Sequence, residues 1–419
     1  MMQQRPVFQP FSKKKIQQIF LGIDFGTSYT KVSYSYAPSS TPQIHTLKWD
    51  DDFFKKSILY FQNGRLFFDK PIGNFDEIKY FKYSILEPKL QNNHQDTKCN
   101  FEELCCVYFL AQLIKHSLTK IFKLLQISNY SDIEISVNMG VPLENFYNEK
   151  NRQNKDLYSE ILENAVTLAG GSKIKARLPE NQVLLSNLDD VYSEILCKKA
   201  ELNWKVHVFP ELAAELLLYH ESKFVHDGLY AVIDVGGGTV DIALFQKQTD
   251  SITKEPVMDC VGQKVLPYGI EVKETLQNLQ ETRKLLQNEF CCILMKAKQS
   301  SKINFHFFNN INLFFLGGGA NDVWYTDGIK KCISEHRLDR ANLAFNFNQN
   351  INIYIQNEEM LIEKNQRLVI SQMLARHADE ITKPKGFPDF FNSPNDSNMP
   401  PSNDNDDKAK NSGWDDNEH

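Results

Sequence analysis

The chain has 419 residues, of which 42% are hydrophobic and 12% aromatic, and its formal net charge is -6. This length exceeds the usual size of a single domain, so we expect two lobes, each with its own core. Because binding to nucleic acid phosphates needs clustered cations, the acidic balance argues against a nucleic-acid-binding surface, and the short run Lys13–Lys15 does not change this.

The sequence also bears on membrane association and redox state. The longest apolar runs, such as Ile311–Leu316, fall far short of the roughly 20 residues that cross a bilayer. The first residues lack the features of a Sec signal peptide, so we expect a cytoplasmic protein without a membrane span, with export by another route left open. The cysteines include two adjacent pairs and no Cys-x-x-Cys spacing, which predicts reduced thiols and argues against a zinc site or a disulfide framework.

The first lobe is expected to span residues 20–225, after a polar lead-in over residues 1–19. Ile19–Asp24 is an apolar strand of the kind that is buried on both faces in an α/β sheet. The next strand, Lys31–Tyr36, follows closely enough to form a hairpin with it. Residues 46–98 are aromatic and irregular, with turn signals, and predict a small inserted subdomain.

The remainder of the first lobe is predicted to contain helices and one further strand. Asn100 and Glu103 form a capping-box pattern at the start of a long helix. Alternating apolar residues predict a strand over Asp132–Asn138, and a helix over Asn154–Leu168 follows. A short helix that begins at Pro210 precedes the second lobe directly.

The second lobe, residues 226–382, begins with another strand-turn-strand pattern over Tyr230–Phe245. Residues 270–311 are predicted to form its inserted subdomain, which is largely helical. Asn312–Leu316 then predicts a strand that leads into three consecutive glycines.

A helix over about residues 358–377 is expected to close the folded part of the chain. Pro, Asn, Asp and Ser dominate residues 383–419. Such a composition buries too little apolar surface to offset the entropy of ordering, so we expect a disordered tail.

The two predicted hairpins share one pattern, in which an apolar strand, an acidic residue, and a turn of glycine and hydroxyl residues precede a second strand. Consecutive N–H groups in such a turn point into one concavity and bind anionic oxygens, and glycine avoids a Cβ that would collide with the ligand. The repetition predicts a duplicated fold with a phosphate-containing ligand between the copies. The residues expected at the phosphates are Gly26, Thr27, Ser28 and Tyr29 in the first turn, and Gly236, Gly237, Gly238 and Thr239 in the second.

The acidic residues of the two patterns are Asp24 and Asp234. A carboxylate beside each turn would repel a phosphate unless a cation lies between them. Mg²⁺ keeps several waters and binds near carboxylates and phosphates, so the two acids would hold a hydrated ion from opposite sides of a cleft. The same carboxylates would also be able to orient an attacking water molecule.

Other phosphate-binding motifs fit less well. Asp24–Gly26 has the letters of the protein kinase DFG motif, but only 23 residues precede it and His336–Asp339 lies far downstream, where a kinase catalytic loop does not occur. Neither glycine turn matches a P-loop or a Rossmann fingerprint. One such turn is an ordinary feature of hairpins, but two turns with the same order are less easily explained in that way.

These residues resemble the motifs of the actin, heat-shock chaperone and sugar-kinase ATPase superfamily. Ile23–Ser28 is similar to its first phosphate motif, Ile233–Asp241 to its second, and Phe315–Ala320 to its adenosine motif. The triple glycine followed by Thr-x-Asp is most similar to the ATPase domain of the 70-kilodalton heat-shock chaperones. The resemblance implies a two-lobed, actin-like α/β fold, made of duplicated ribonuclease H-like domains with small inserted subdomains.

The resemblance extends more weakly over about residues 20–380 and implies further site residues. It implies that Glu211 is a carboxylate near magnesium, that Lys82 is the catalytic lysine, and that Lys298 packs near the adenine ring. The implied cofactors are ATP or ADP and Mg²⁺. The implied residues are Asp24, Asp234 and Glu211 at the metal through water, Gly317, Gly318 and Gly319 at the adenosine, and Asp24, Asp234, Glu211, Lys82 and Thr27 in catalysis.

Structural alternatives stay open for the weaker assignments. Lys82 could be a solvated lysine beside aromatic residues, since lone lysines are usually at the surface. Glu211 could be an acid that the helix dipole favours in a first turn. Asp241 could shape the second hairpin by bonding to its own backbone.

The expected function is a chaperone-like, magnesium-dependent ATPase, in which hydrolysis drives opening and closing of the lobes, with an unidentified protein partner. By this resemblance, we expect the polar tail to stand in place of the linker and peptide-binding domain of the chaperones. Two alternatives are an actin-like filament protein controlled by nucleotide and a nucleotide-binding regulatory or effector module with little turnover. A sugar kinase fits least, since no sugar-binding acid is evident.

Overall fold

The structure is a computed structural model and describes twelve ranges of the chain. These ranges are 18–37, 44–86, 99–127, 133–142, 149–172, 181–198, 201–221, 226–275, 278–299, 310–335, 344–347 and 367–382. Within them the protein is a mixed α/β protein with three β-sheets. The expected disordered tail and most of the lead-in lie outside the described residues.

The strands and helices are numbered in chain order. The strands are β1 (Gln18–Phe25), β2 (Tyr29–Ala37), β3 (His45–Thr46), β4 (Lys55–Lys56), β5 (Leu59–Gln62), β6 (Arg65–Phe67), β7 (Asp76–Ile78), β8 (Glu134–Val141), β9 (Gln182–Leu184), β10 (Lys205–Pro210), β11 (Gly228–Val235), β12 (Val240–Thr249), β13 (Pro256–Leu266), β14 (Asn310–Leu316) and β15 (Ala344–Phe347). The helices are α1 (Phe81–Leu86), α2 (Phe101–Leu124), α3 (Glu149–Leu168), α4 (Leu185–Lys198), α5 (Glu211–Glu221), α6 (Ile270–Thr275), α7 (Leu279–Gln299), α8 (Val323–Glu335), α9 (Val369–Leu374) and α10 (Ala378–Thr382).

Two sheets have the same strand order and the same strand directions. The first has the order β10-β8-β1-β2-β3, with β4 also paired with β2, and the second has the order β15-β14-β11-β12-β13. In each sheet a hairpin is extended on one side by antiparallel pairing and on the other by two parallel strands. The repeated hairpin pattern of the sequence therefore corresponds to a repeated sheet topology.

The third sheet belongs to the segment that the sequence marks as inserted. It has the order β7-β5-β6-β9. The turn between β5 and β6 contains Asn63 and Gly64, both with positive φ (51° and 75°), as the Asn-Gly signal predicts. Strand β9 comes from outside the predicted insertion, so the subdomain is completed by a later part of the chain.

The core is built around the first strand of each hairpin. Seven of the eight residues of β1 and all eight of β11 are buried, as expected for strands with both faces covered. Helix α5 contacts β8 and β10 of the first sheet and β12 and β13 of the second, so it lies between the two sheets. On the other face of the second sheet, α7 and α8 pack on a separate apolar cluster.

Helix α2 begins where the sequence predicts, but its capping box is only half formed. The Asn100 side chain accepts a hydrogen bond from the Glu103 N–H at 3.0 Å. The Glu103 carboxylate accepts a hydrogen bond from the Tyr192 hydroxyl of α4 instead of the Asn100 amide. The expected reciprocal bond is therefore replaced by a tertiary contact.

The segment of residues 367–382, here called the C-terminal strap, packs on the first sheet. The Asn138 side-chain amide donates to the carbonyls of Leu374 and Arg376, both at 2.7 Å, and the Ser35 hydroxyl donates to the Ala375 carbonyl at 2.6 Å. The helix predicted over residues 358–377 is confirmed for Val369–Leu374, but it ends earlier than predicted, because these side chains bind the carbonyls at and just after the end of α9. Residues 358–366 lie outside the described residues.

The sequence predicted reduced cysteine thiols and no membrane-spanning helix. Free thiols occur at Cys99, Cys105, Cys106, Cys197, Cys260 and Cys292. Cys291 takes part in a disulfide bond, so the expectation of reduced thiols is wrong for that residue. In the described ranges, every helix is too short or too polar to cross a bilayer.

Candidate functional site

The turns of the two hairpins meet at one cleft. A Cβ atom on Gly237 would lie only 2.0 Å from Ser28 Oγ, so the two turns touch each other directly. The cleft collects most of the predicted site residues. Those that line it are Asp24, Gly26, Thr27, Ser28, Tyr29, Lys82, Glu211, Asp234, Gly236, Gly237, Gly238, Thr239, Gly317 and Gly318.

Two predicted adenosine-contacting residues are not placed at the cleft. Gly319 does not line it, and its N–H donates to the Val235 carbonyl at 3.0 Å. A Cβ on Gly319 would lie 2.4 Å from a side-chain carbon of Val235, so this glycine is needed for packing of the third turn against β11. The expected contact of Gly319 with the ligand stays a prediction, and the structure shows a packing role for this glycine. The Lys298 side chain lies outside the described residues.

The first turn is held in place by hydrogen bonds that its carbonyl groups accept. The Ser57 N–H donates to the Ser28 carbonyl at 2.9 Å, and the Ser57 hydroxyl donates to the Gly26 carbonyl at 2.7 Å. The Lys82 ammonium donates to the Phe25 carbonyl. Within the described residues, the N–H groups of Thr27 and Ser28 have no protein acceptor.

The second turn repeats this arrangement with different partners. Its three glycine carbonyls accept hydrogen bonds from the start of α6: Ile270 donates to Gly236 at 3.0 Å, Glu271 to Gly237 at 3.0 Å, and Gly269 to Gly238 at 3.1 Å. In the described part of the chain, the N–H groups of Gly237 and Gly238 have no protein acceptor. Each turn thus has most of its carbonyls bound to donors and two consecutive N–H groups available at the cleft, which is the arrangement of an anion-binding nest.

The third glycine turn follows β14, which lies beside β11. Gly317 has a φ of 78°, which favours glycine, and a Cβ there would lie 2.1 Å from Asp234 Oδ1. Gly317 and Gly318 both line the cleft. The third turn therefore lies next to the acid of the second hairpin.

The cleft carries two ion pairs, each between a lysine and an acid that are buried or half-buried. Lys31 Nζ lies 2.7 Å from Asp24 Oδ2, across the hairpin from it. Lys82 Nζ lies 3.0 Å from Glu211 Oε1, and the Lys82 side chain is only 4% exposed. The alternative of Lys82 as a solvated lysine is therefore wrong. The Glu211 carboxylate lies in the first turn of a helix and also forms an ion pair with Lys82.

The acid at the second hairpin is in a different environment. Within the described ranges, Asp234 Oδ1 is buried without a hydrogen-bond partner, and so is Glu271 Oε2 at the same cleft. Asp241, which pairs with Asp234 across the hairpin, accepts a hydrogen bond from the Thr239 hydroxyl at 3.0 Å. Asp241 thus bonds to a neighbouring side chain and not to its own backbone, and it does not line the cleft.

Burial shifts the pKa values of these acids upward. Burial, helped by the charges of Glu211 and Asp24, raises the pKa of Asp234 to about 7. Burial also raises the pKa of Glu211 despite the neighbouring Lys82, and it holds the pKa of Glu215 well above its usual range. The cleft therefore has more buried carboxyl groups than cations to neutralise them.

A hydrated cation fits this donor set. Among the described residues, no group of three or more His, Cys, Asp or Glu side chains is arranged to bind a metal ion directly. Asp24, Asp234 and Glu211 are predicted to contact Mg²⁺ through water molecules. Such contacts require carboxylate oxygens that face the cleft, but they do not require direct ligation of the metal ion. The unpartnered oxygens of Asp234 and Glu271 provide such positions.

Four charged cleft residues were missed by the sequence interpretation: Lys31, Glu215, Glu271 and Arg367. Lys31 could have been found by pairing the two strands of the first hairpin, and Glu215 follows Glu211 by one helical turn. Glu271 and Arg367 come from distant segments, and no local pattern marks them.

The chain matches no protein-family model, and no curated protein gives a significant match to it.

Proposed function

We propose that the protein binds ATP with Mg²⁺ in the cleft and hydrolyses it, as a chaperone-like ATPase. One observation carries the proposal: two consecutive N–H groups are available in each of two turns that meet across a cleft with an excess of carboxyl groups. Such turns bind anionic oxygens, and a triphosphate offers oxygens to both turns at once. The repeated sheet topology supports the two-lobed, actin-like fold that the sequence resemblance implies.

The residues of the cleft have distinct roles in this proposal. When bound, Mg²⁺ would neutralise phosphate charge between the lobes. Asp24, Asp234 and Glu211 would hold its waters, and Lys82 would place a positive charge beside the phosphates. Phosphoryl transfer to water depends mainly on positioning and charge stabilisation, and the Thr27 hydroxyl and the turn N–H groups would position the phosphates.

The size of the cleft supports a cycle of opening and closing. It encloses about 190 Å³, whereas small-molecule pockets usually have roughly 300–1,000 Å³. In the proposed cycle, the contact between Ser28 and Gly237 separates when a nucleotide enters. We therefore interpret the described conformation as a closed one, and nucleotide binding as an event that moves the two sheets apart.

Titration calorimetry with ATP and ADP, with and without Mg²⁺, tests the binding step, and phosphate release tests turnover. Asp234→Asn is expected to lower magnesium-dependent turnover by about 10- to 100-fold, since second-shell metal contacts have effects of this size. Asp51→Asn, an exposed acid of the insertion, is the matched control and is expected to behave like the wild type. Absence of ATP and ADP binding by the wild-type chain would overturn the proposal.

The same measurements separate the two alternatives. Tight ATP binding without phosphate release would support a regulatory or effector module, and ATP-dependent light scattering would support a filament-forming protein. A cytoplasmic location and an unidentified protein partner, whose binding depends on the nucleotide, remain part of the leading proposal.

A further inference from the structure

Arg367 is a third cation at the cleft, and its pairing differs from that of the two lysines. Lys31 and Lys82 are each paired with a carboxylate of the cleft. No carboxylate within the described ranges forms an ion pair with Arg367, although its side chain lines the same cleft. A guanidinium group carries five N–H donors and keeps its charge, so at this position it provides donors for an anionic ligand.

Aromatic rings hold the guanidinium group in place. Its central carbon lies 4.1 Å from the centre of the Phe54 ring and 5.6 Å from that of the Tyr29 ring. Cation–π contacts of this kind fix the plane of the group while its N–H edges stay available for hydrogen bonds. Phe54 belongs to the insertion and Tyr29 to the first turn, so two elements of the first lobe orient Arg367.

Arg367 also lies beside the third glycine turn. Its Nη2 atom is 3.9 Å from the position that a Cβ on Gly318 would take. The guanidinium group is therefore situated between the first turn, expected at the phosphates, and the third turn, expected at the adenosine. A nucleotide that spans these two turns would bring a phosphate oxygen near it.

We propose that Arg367 binds a phosphate oxygen of the nucleotide and so links nucleotide binding to the C-terminal strap. The inference rests on the proposed function. Arg367 belongs to the strap, and the strap is held on the first sheet by Asn138 and Ser35. An ionic contact between Arg367 and the ligand therefore links the docking of the strap to the occupancy of the cleft.

Binding of ADP and of adenosine to the full chain, each measured by calorimetry, tests the phosphate contact. Arg367→Ala is expected to weaken ADP binding by about 10- to 100-fold, since it removes a charge-assisted hydrogen bond, and to leave adenosine binding unchanged. Arg367→Lys keeps the charge but not the planar fork, so part of the affinity should return. Arg65→Ala, which removes an exposed arginine of β6, is the matched control.

Hydrogen exchange of residues 369–382 gives a second readout. ADP is expected to slow exchange there in the wild type and to have a smaller effect in Arg367→Ala. Melting curves without ligand show whether each variant is folded, and Arg367→Gln replaces Arg367→Ala if the latter is not.

The outcomes separate the two proposals. A wild-type chain that does not bind ADP overturns the proposed function and this inference together. If the wild type binds ADP and the Arg367 variant binds it equally well, only the inference is wrong. A variant that loses ADP and adenosine affinity to the same extent also overturns it. Arg367 would then hold the shape of the cleft and not bind a phosphate oxygen.

Discussion

At the scale of single residues, the two hairpins share their strand pairing but differ in the residue that lies opposite the acid. Asp24 pairs with Lys31 across the first hairpin, whereas Asp234 faces another acid, Asp241, across the second. The first acid is therefore neutralised by the protein itself. The second has no cation opposite it in the hairpin, and it has an unpartnered oxygen at the cleft. The duplicated pattern thus yields one carboxylate that is paired within its hairpin and one that, within the described ranges, has an unpartnered oxygen at the cleft.

This difference predicts a pH dependence of stability. The pKa of Asp234 is raised by burial from 3.8 to about 7, so between these values the folded chain binds more protons than the unfolded chain. The stability that this group contributes is complete below about pH 4 and is lost as the pH rises through about 7. Each unit of pKa difference corresponds to about 1.4 kcal/mol of unfolding free energy.

Asp234→Asn should therefore stabilise the magnesium-free chain more at pH 8 than at pH 5. Denaturant unfolding in the presence of a chelator, at both pH values, measures the effect. Asp51→Asn is the control, because that side chain is exposed. An equal change in unfolding free energy at the two pH values would contradict the predicted shift.

At the scale of elements, local and distant determinants of the cleft differ in how well the sequence predicts them. The hairpins follow from apolar strands and glycine turns that are adjacent in the chain, and both were predicted. The occupied carbonyls of the turns were not, because their donors, such as Ser57 and Gly269, act through backbone and hydroxyl groups that leave no pattern. The end of α9 was missed for the same reason, since Asn138 lies more than 200 residues away in the chain.

The strap is an element whose attachment can be tested separately. Asn138 donates to two strap carbonyls, and replacing it by Leu leaves these carbonyls buried without that donor, which costs about 1–3 kcal/mol for each. Asn138→Leu should therefore destabilise the chain and speed hydrogen exchange over residues 369–382 in particular. Gln18→Leu, which removes a part-buried amide at the same sheet, is the control. If exchange in the strap does not change, the strap is held mainly by apolar packing.

At the scale of the whole molecule, the two sheets are joined in two ways. Helix α5 packs against both of them, and the strap follows the second sheet in the chain and docks on the first. The two glycine turns touch through small residues, Ser28 and Gly237. A contact between residues this small can separate with little loss of packing.

A side chain at Gly237 tests whether this contact limits nucleotide entry. An alanine Cβ there would lie 2.0 Å from Ser28 Oγ, so the closed cleft must shift, and overpacking of this kind costs about 1–3 kcal/mol. Because destabilising the closed form raises the open population, Gly237→Ala should increase the association rate of a fluorescent nucleotide by about tenfold. Stopped-flow mixing measures this rate, and it separates opening from any loss of final affinity.

Gly236→Ala is the matched control for this measurement. It adds the same methyl group to the same turn, but its Cβ would meet only the turn's own Thr239, at 3.3 Å, and would not contact the first turn. It should therefore leave the association rate close to that of the wild type. Equal rates in Gly237→Ala and the wild type would mean that the contact between the turns does not control access. A rate increase in Gly237→Ala but not in Gly236→Ala would identify the Ser28–Gly237 contact as the point where the cleft opens.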